Sequence, residues 1–208
     1  MLLAQRQVDD FTKVLASDAP APGGGSAAAL AGAVGAALTA MVCTLTAGRK
    51  KYAEHEEFVL GVQAEAEALR KQFIDVMDRD TEAFLVISRA YGMPKATDEE
   101  KAERSRAIQA GLVECIKTPM EMMELSLQTV QLTDSLLGRF NTSSASDLGV
   151  GALSLRTAVQ GAWLNVLINI GSLKDRELAE SYRAKGEKLV QQVLSLSDHV
   201  YETVLTLV

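Results

Sequence analysis

Residues 20–52 read PAPGGGSAAALAGAVGAALTAMVCTLTAGRKKY, and no charge occurs between Asp18 and Arg49. A membrane span, an anion-binding glycine loop opening a helix, or a core helix pressed closely by its neighbours could each produce such a run. Its length suffices for a bilayer, which needs about twenty apolar residues. Its composition argues otherwise, being mostly Ala, Gly, Ser and Thr with little Leu, Ile or Phe. A helix uncharged on all sides is expected to be buried on all sides. Gly32 and Gly35, with alanines between them, let two backbones approach. One domain rarely surrounds a helix completely, so the stretch also predicts a dimer or larger assembly.

The chain around it is long enough, at 208 residues, to build one sizeable core. A hydrophobic content of 48% with 23% charged residues fits a soluble globular domain and excludes disorder. The net charge of -6 argues against nucleic acid or an anionic membrane as partner, while a local basic patch could still hold an anionic ligand. No secretion signal is read at the start. Cys43 and Cys115 lie in apolar helical patterns without metal-ligand spacing, which suggests buried thiols in a reducing cytoplasm. Two histidines are too few for a histidine-rich metal site.

Strand alternation is missing and helical spacing recurs throughout. Val8, Phe11 and Leu15 mark a first helix, and Ser26 is the expected N-cap of a second reaching about Thr46. A third spans about Glu54 to Arg89, with Phe58, Val62, Leu69, Phe73, Val76 and Phe84 along its buried side. Thr97 and Glu100 have capping-box spacing at the start of a fourth, which runs toward Leu137 and should kink at Pro119. A fifth covers about Asp147 to Ile170, and a sixth follows "GSLKD". The expectation is an all-α, single-domain bundle of about six helices spanning residues 1–208.

Several constellations could carry chemistry. Gly23, Gly24 and Gly25 before Ser26 could expose backbone N–H groups to an anion, or could serve close helix packing. No Walker lysine follows them, and no strand precedes them. Asp78 and Glu82 share a helix face at i and i+4, with Asp80 turned away. They are either a solvated acidic stripe or a carboxylate pair with one raised pKa. Arg49 and Lys50 are either a soluble helix end or a clamp for carboxylates. Asp147 falls in a helix's first turn, where the dipole favours negative charge, and Gly149 and Gly151 beyond it suggest close approach of a backbone or a ligand. Asn165 and Asn169 lie one turn apart in an apolar run, and would bond neighbouring backbone or the edge of a polar heterocycle.

The stretches "PAPGGGSAAALAG", "LTAGRKKY", "DRDTEAF", "MPKATDEEK", "NTSSASDLGVGA" and "NVLIN" occur in the order seen in the cyclodeaminase/cyclohydrolase family of folate one-carbon metabolism, which the chain resembles over nearly its whole length. The resemblance implies an all-α homodimer acting on a tetrahydrofolate derivative, with no metal and no cofactor beyond that substrate. It puts the catalytic acid on Asp147, and Asp78 and Glu82 as second carboxylates near the pterin. Asn165 and Asn169 would orient the ring. Gly23, Gly24, Gly25 and Ser26, with Arg49 and Lys50, would receive the anionic glutamyl tail.

Two activities of that family share a tetrahedral carbon between N5 and N10 of the folate. A cyclohydrolase adds water to the 5,10-methenyl bridge and opens it to the 10-formyl form. A cyclodeaminase closes a 5-formimino group and expels ammonia. "MVCTLTAGRKKY" and "AYGMPKATDEEK" are more similar to the free-standing cyclohydrolases, and no formiminotransferase half is read in the chain. The expectation is a methenyltetrahydrofolate cyclohydrolase, with the cyclodeaminase as alternative. A non-catalytic folate-binding scaffold is the remaining one.

Overall fold

The computed structural model describes residues 2–208. Six helices account for the architecture: α1 (Val8–Leu15), α2 (Gly24–Thr46), α3 (Glu56–Tyr91), α4 (Asp98–Ser135), α5 (Ala145–Ile170) and α6 (Arg176–Leu205). Short 3-10 turns precede α1, α3 and α5, and no strand occurs among the described residues. The all-α bundle is therefore the fold, with boundaries within two or three residues of those expected from periodicity.

α2 is the axis. It lies between α3 and α5 along its length, antiparallel to both, while α4 and α6 close the far side. It is long and apolar enough to cross a membrane, yet more than half of its apolar window is buried in the bundle. Its glycines explain why. An added Cβ at Gly32 would lie 2.2 Å from the Phe73 ring of α3, and one at Gly35 would lie 3.0 Å from the Gly151 carbonyl of α5. Small residues thus let both neighbours press against the α2 backbone. Its threonines remain satisfied without water: Thr39 donates to the Gly35 carbonyl, and its hydroxyl lies 2.8 Å from that of Thr133.

α4 begins with the expected capping box. Glu100 N–H donates to the Thr97 hydroxyl, and the Glu100 carboxylate accepts from Thr97 N–H. Pro119 lies buried inside this helix, one residue past Thr118. Arg79 ties α3 to α4 through two hydrogen bonds to Glu121 at 2.8 and 2.6 Å, and also bonds Asp75. Those carboxylates hold its guanidinium well above its ordinary pKa.

Three expectations change. Ser26 does not cap α2; Gly23 takes that position, and Ser26 is buried at the third residue with its hydroxyl 3.3 Å from that of Thr81. Phe58 is not in the core: it is 37% exposed at the start of α3, beneath the Arg139 guanidinium at 4.8 Å. Phe84 is 43% exposed, for a reason given by the length of α2.

Candidate active site

The buried stripe of α3 runs through Val62, Ala66, Leu69, Phe73 and Met77, and its next member by helical spacing is Asp80. An acid on an apolar stripe requires accommodation, and Gly25 provides it. A Cβ there would lie 2.2 Å from Asp80 Oδ2, so only glycine leaves room for the carboxylate against the first turn of α2. Gly32 receives Phe73 in the same way, seven residues along on both helices. The second residue of α2 and the acid on α3 are thus two halves of one contact.

From α4, Thr118 Oγ1 donates to Asp80 Oδ1 at 3.0 Å. Burial pushes the Asp80 carboxyl above its ordinary range, and the Thr118 hydroxyl pulls it partly back. Cys115, one turn before Thr118 on α4, lines a cavity together with Asp80. Its thiol is pushed up to about 11, first by burial and then by the charges of Asp80 and Glu114. It therefore stays protonated near neutrality.

Asn165 and Asn169 complete the wall from α5. Asn165 donates to the Gly161 carbonyl at 2.9 Å, and Asn169 to the carbonyls of Asn165 at 2.7 Å and Cys115 at 3.3 Å. Both expected roles are compatible with this: the amide nitrogens are anchored on backbone, and neither side-chain oxygen accepts a hydrogen bond from a described residue. A cavity of about 330 Å³ is lined by Asp80, Phe84, Ile87, Cys115, Asn165 and Asn169, among others. A second of about 160 Å³ lies at Gly23, Gly24, Gly25 and Ser26. Asp80, Phe84 and Asn165 line both, so the two are parts of one cleft. Such a space is sized for a small heterocycle and a protruding tail.

None of the other expected site residues lines the two cavities around Asp80. Asp78 faces away from Asp80 and accepts the Leu3 N–H at 2.7 Å, which pins the N-terminal segment to α3. With Glu82 it lines a space of about 560 Å³ beside Arg6, which adjoins the glycine-turn cavity through Pro20, Ala21 and Thr81. The i, i+4 pair therefore borders the mouth next to the glycine turn rather than the cavity that Asp80 shares with Asn169. Arg49 and Lys50 lie exposed beyond the opposite end of α2, and Arg49 Nε donates to the Leu45 carbonyl of that helix end. Asp147 is in the first turn of α5, about 27 Å along the helix from Asn165. Within one chain these groups do not meet the glycine loop.

That far end is nevertheless ordered by polar contacts. Asn141 Nδ2 donates to the Leu45 carbonyl at 3.1 Å, and Asn141 N–H to Thr46 Oγ1 at 2.9 Å. Thr142 N–H donates to the Tyr52 hydroxyl oxygen and lowers the phenol's pKa. Periodicity identified neither Asp80 nor Thr118 as site residues. The available signal was the stripe itself, on which Asp80 interrupts an apolar series.

Comparison with known proteins agrees with this architecture. The methenyltetrahydrofolate cyclohydrolase of Methylorubrum extorquens is 40% identical over 197 residues, covering 95% of each chain. The formimidoyltransferase-cyclodeaminase of Rattus norvegicus is 34% identical over 88% of this chain, which spans about a third of that longer protein (34%). A crystal structure of formiminotetrahydrofolate cyclodeaminase from Thermotoga maritima superposes with a TM-score of 0.80 at 25% identity, covering 98% of this chain and 96% of that one. Residues 7–188 match the formiminotransferase-cyclodeaminase family. With the helical order, the glycine loop and the relatives in agreement, the chain belongs to the formiminotransferase-cyclodeaminase family.

Proposed function

We propose that the protein is a methenyltetrahydrofolate cyclohydrolase whose reacting carboxylate is Asp80. The observation that carries this reading is Asp80 itself: a partly buried acid, bonded by Thr118, at the waist of a cleft lined by Asn165 and Asn169. A carboxyl with a raised pKa can both take and return a proton near the operating pH. The 5,10-methenyl group is a cation, and an ionised acid beside it stabilises its approach. Water adds to the bridging carbon as Asp80 accepts one of its protons. The C–N5 bond then breaks, N5 takes that proton, and the remaining hydroxyl proton is released as the 10-formyl carbonyl forms. Asn165 and Asn169 offer acceptors to N–H groups on the pterin edge, and the Gly23–Ser26 turn borders the exit for the tail. No cofactor beyond the folate is needed.

The cyclodeaminase is the second reading, favoured by the structural likeness to the Thermotoga maritima enzyme. There the same carboxyl, protonated, would deliver its proton to departing ammonia.

Homodimer formation belongs to the proposal. α2 and α5 leave an uncharged stripe uncovered, including Val34 and Met41 on one and Val150, Leu153, Leu164 and Ile168 on the other. A twofold axis across that face sets α2 antiparallel to its copy, and so brings Arg49, Lys50 and Asp147 of one subunit to the glycine-loop end of the other. The cationic end would then meet the acidic one, and Asp147 would retain a part in the reaction. We read the face as a subunit contact in a cytoplasmic protein, with neither membrane nor nucleic acid as partner.

The test is the decay of 5,10-methenyltetrahydrofolate absorbance with wild type, Asp80→Asn and Asp147→Asn, beside a protein-free control. Fast decay lost in Asp80→Asn supports the reading. Wild-type decay no faster than the control overturns it, and ammonia release from 5-formiminotetrahydrofolate then decides for the cyclodeaminase.

A further inference from the structure

Phe84 continues the stripe on which Phe73, Met77 and Asp80 lie, so helical periodicity places it in the core. Phe73 is fully buried, and Ile87, the next member, is 4% exposed against Gly111 of α4. Phe84 between them is 43% exposed. The cause is the start of α2. That helix begins at Gly24, and its second residue, Gly25, lies opposite Asp80, so α3 runs on without it and the ring one turn later has no turn of α2 across from it, only a cavity walled by α4 and α5. An aromatic left over from a core would be a surface residue of no account. This one lines both cavities and shares them with Asp80 and Asn165.

We propose that Phe84 is a specificity-determining residue of the cleft, its ring face stacking on a flat, positively charged heterocycle held beside Asp80. This rests on the cyclohydrolase reading. The methenyl substrate carries a delocalised cation across its bridge, while the 10-formyl product has lost it. An aromatic face attracts a cation through its quadrupole, whereas an aliphatic wall of similar size offers only apolar contact. Phe84 therefore favours substrate over product, and the loss of charge at ring opening loosens the product for release. Asp80 draws the same distinction by charge and is unchanged in the variants below.

The experiment compares wild type with Phe84→Leu and Phe84→Trp, measuring kcat, KM for 5,10-methenyltetrahydrofolate and the competitive Ki of 10-formyltetrahydrofolate. Thermal melting of each variant confirms folding. The expected result for Phe84→Leu is a KM raised about fivefold or more beyond any rise in Ki, with Phe84→Trp keeping the wild-type ratio of Ki to KM. Equal rises in KM and Ki for Phe84→Leu, or no rise, with wild type active, overturn this inference and leave the cyclohydrolase reading intact. A wild-type protein without turnover overturns both.

Discussion

Gly25 and Asp80 lie so close that a methyl group on the glycine would come within 2.2 Å of Oδ2 and 2.8 Å of Cγ. The carboxylate occupies the space a side chain would take. Gly25→Ala must therefore push Asp80 off Thr118, and a displacement of this kind costs about 100-fold in turnover. Gly24→Ala is the control, because a Cβ there meets only Asn165 Nδ2 at 3.8 Å. Steady-state kinetics should show the loss in the first variant and near-normal rates in the second.

Asp80→Asn should lose activity by about 10²–10⁴-fold while melting higher than wild type at neutral pH. The reason for the second effect is linkage. Folding raises the Asp80 pKa, so between its ordinary value of 3.8 and the raised one the folded chain binds more proton than the unfolded chain. Its contribution to stability then declines as pH climbs through that window. Asparagine carries no charge to bury, so the advantage should shrink as pH falls toward 3.8. Melting curves across pH would show it, and a variant less stable than wild type at every pH would contradict it.

Thr118→Val removes the donor that lowers the Asp80 pKa, so the carboxyl should titrate at higher pH than in wild type. Because the base must be ionised, the acid limb of the kcat/KM profile should move toward higher pH. Thr118→Ser keeps the hydroxyl and should restore the limb. A fall in rate with an unmoved limb in Thr118→Val would mean that the threonine only packs.

Hybrid dimers test the antiparallel arrangement. Chains carrying Asp80→Asn and Asp147→Asn, co-expressed with different tags and purified as mixed pairs, should form one site with both acids and one with neither. About half of wild-type activity is then expected, where each parent homodimer is inactive. Inactive hybrids, or an Asp147→Asn homodimer that works normally, would remove Asp147 from the site.

Much of this was legible in the residues, and the part that was not has a geometric cause. The uncharged run from Gly24 to Thr46 marked the central helix because nothing in it needed water. Thr97 and Glu100 marked the start of α4. Asp80 was correctly placed on the other face from Asp78 and Glu82, yet that very separation set it among Phe73 and Met77, where an acid needs a purpose. Phe84 had the right periodicity for a core position, but periodicity describes one helix and cannot say where its neighbour begins. Asn165 and Asn169 were found as polar residues in an apolar run, and the structure adds that their amide nitrogens are tied to backbone. Asp147 stood out by its place in a first turn, although its distance from the glycine loop depends on the antiparallel course of α2 and α5.

The meeting of Gly25 with Asp80 and of Gly32 with Phe73, a heptad apart on both helices, makes α2 a ruler laid along α3. From Asp80 to Tyr91, α3 continues for roughly 16 Å of helix without it. The depth of the cleft is thus counted in residues and can change only in steps. Removing seven residues from the start of α2, with the glycines carried along, would set the loop opposite Phe73 and keep the groove in phase. Removing four would turn the glycines toward a different row of side chains. Relatives that accommodate a larger or smaller ring should differ here by whole heptads.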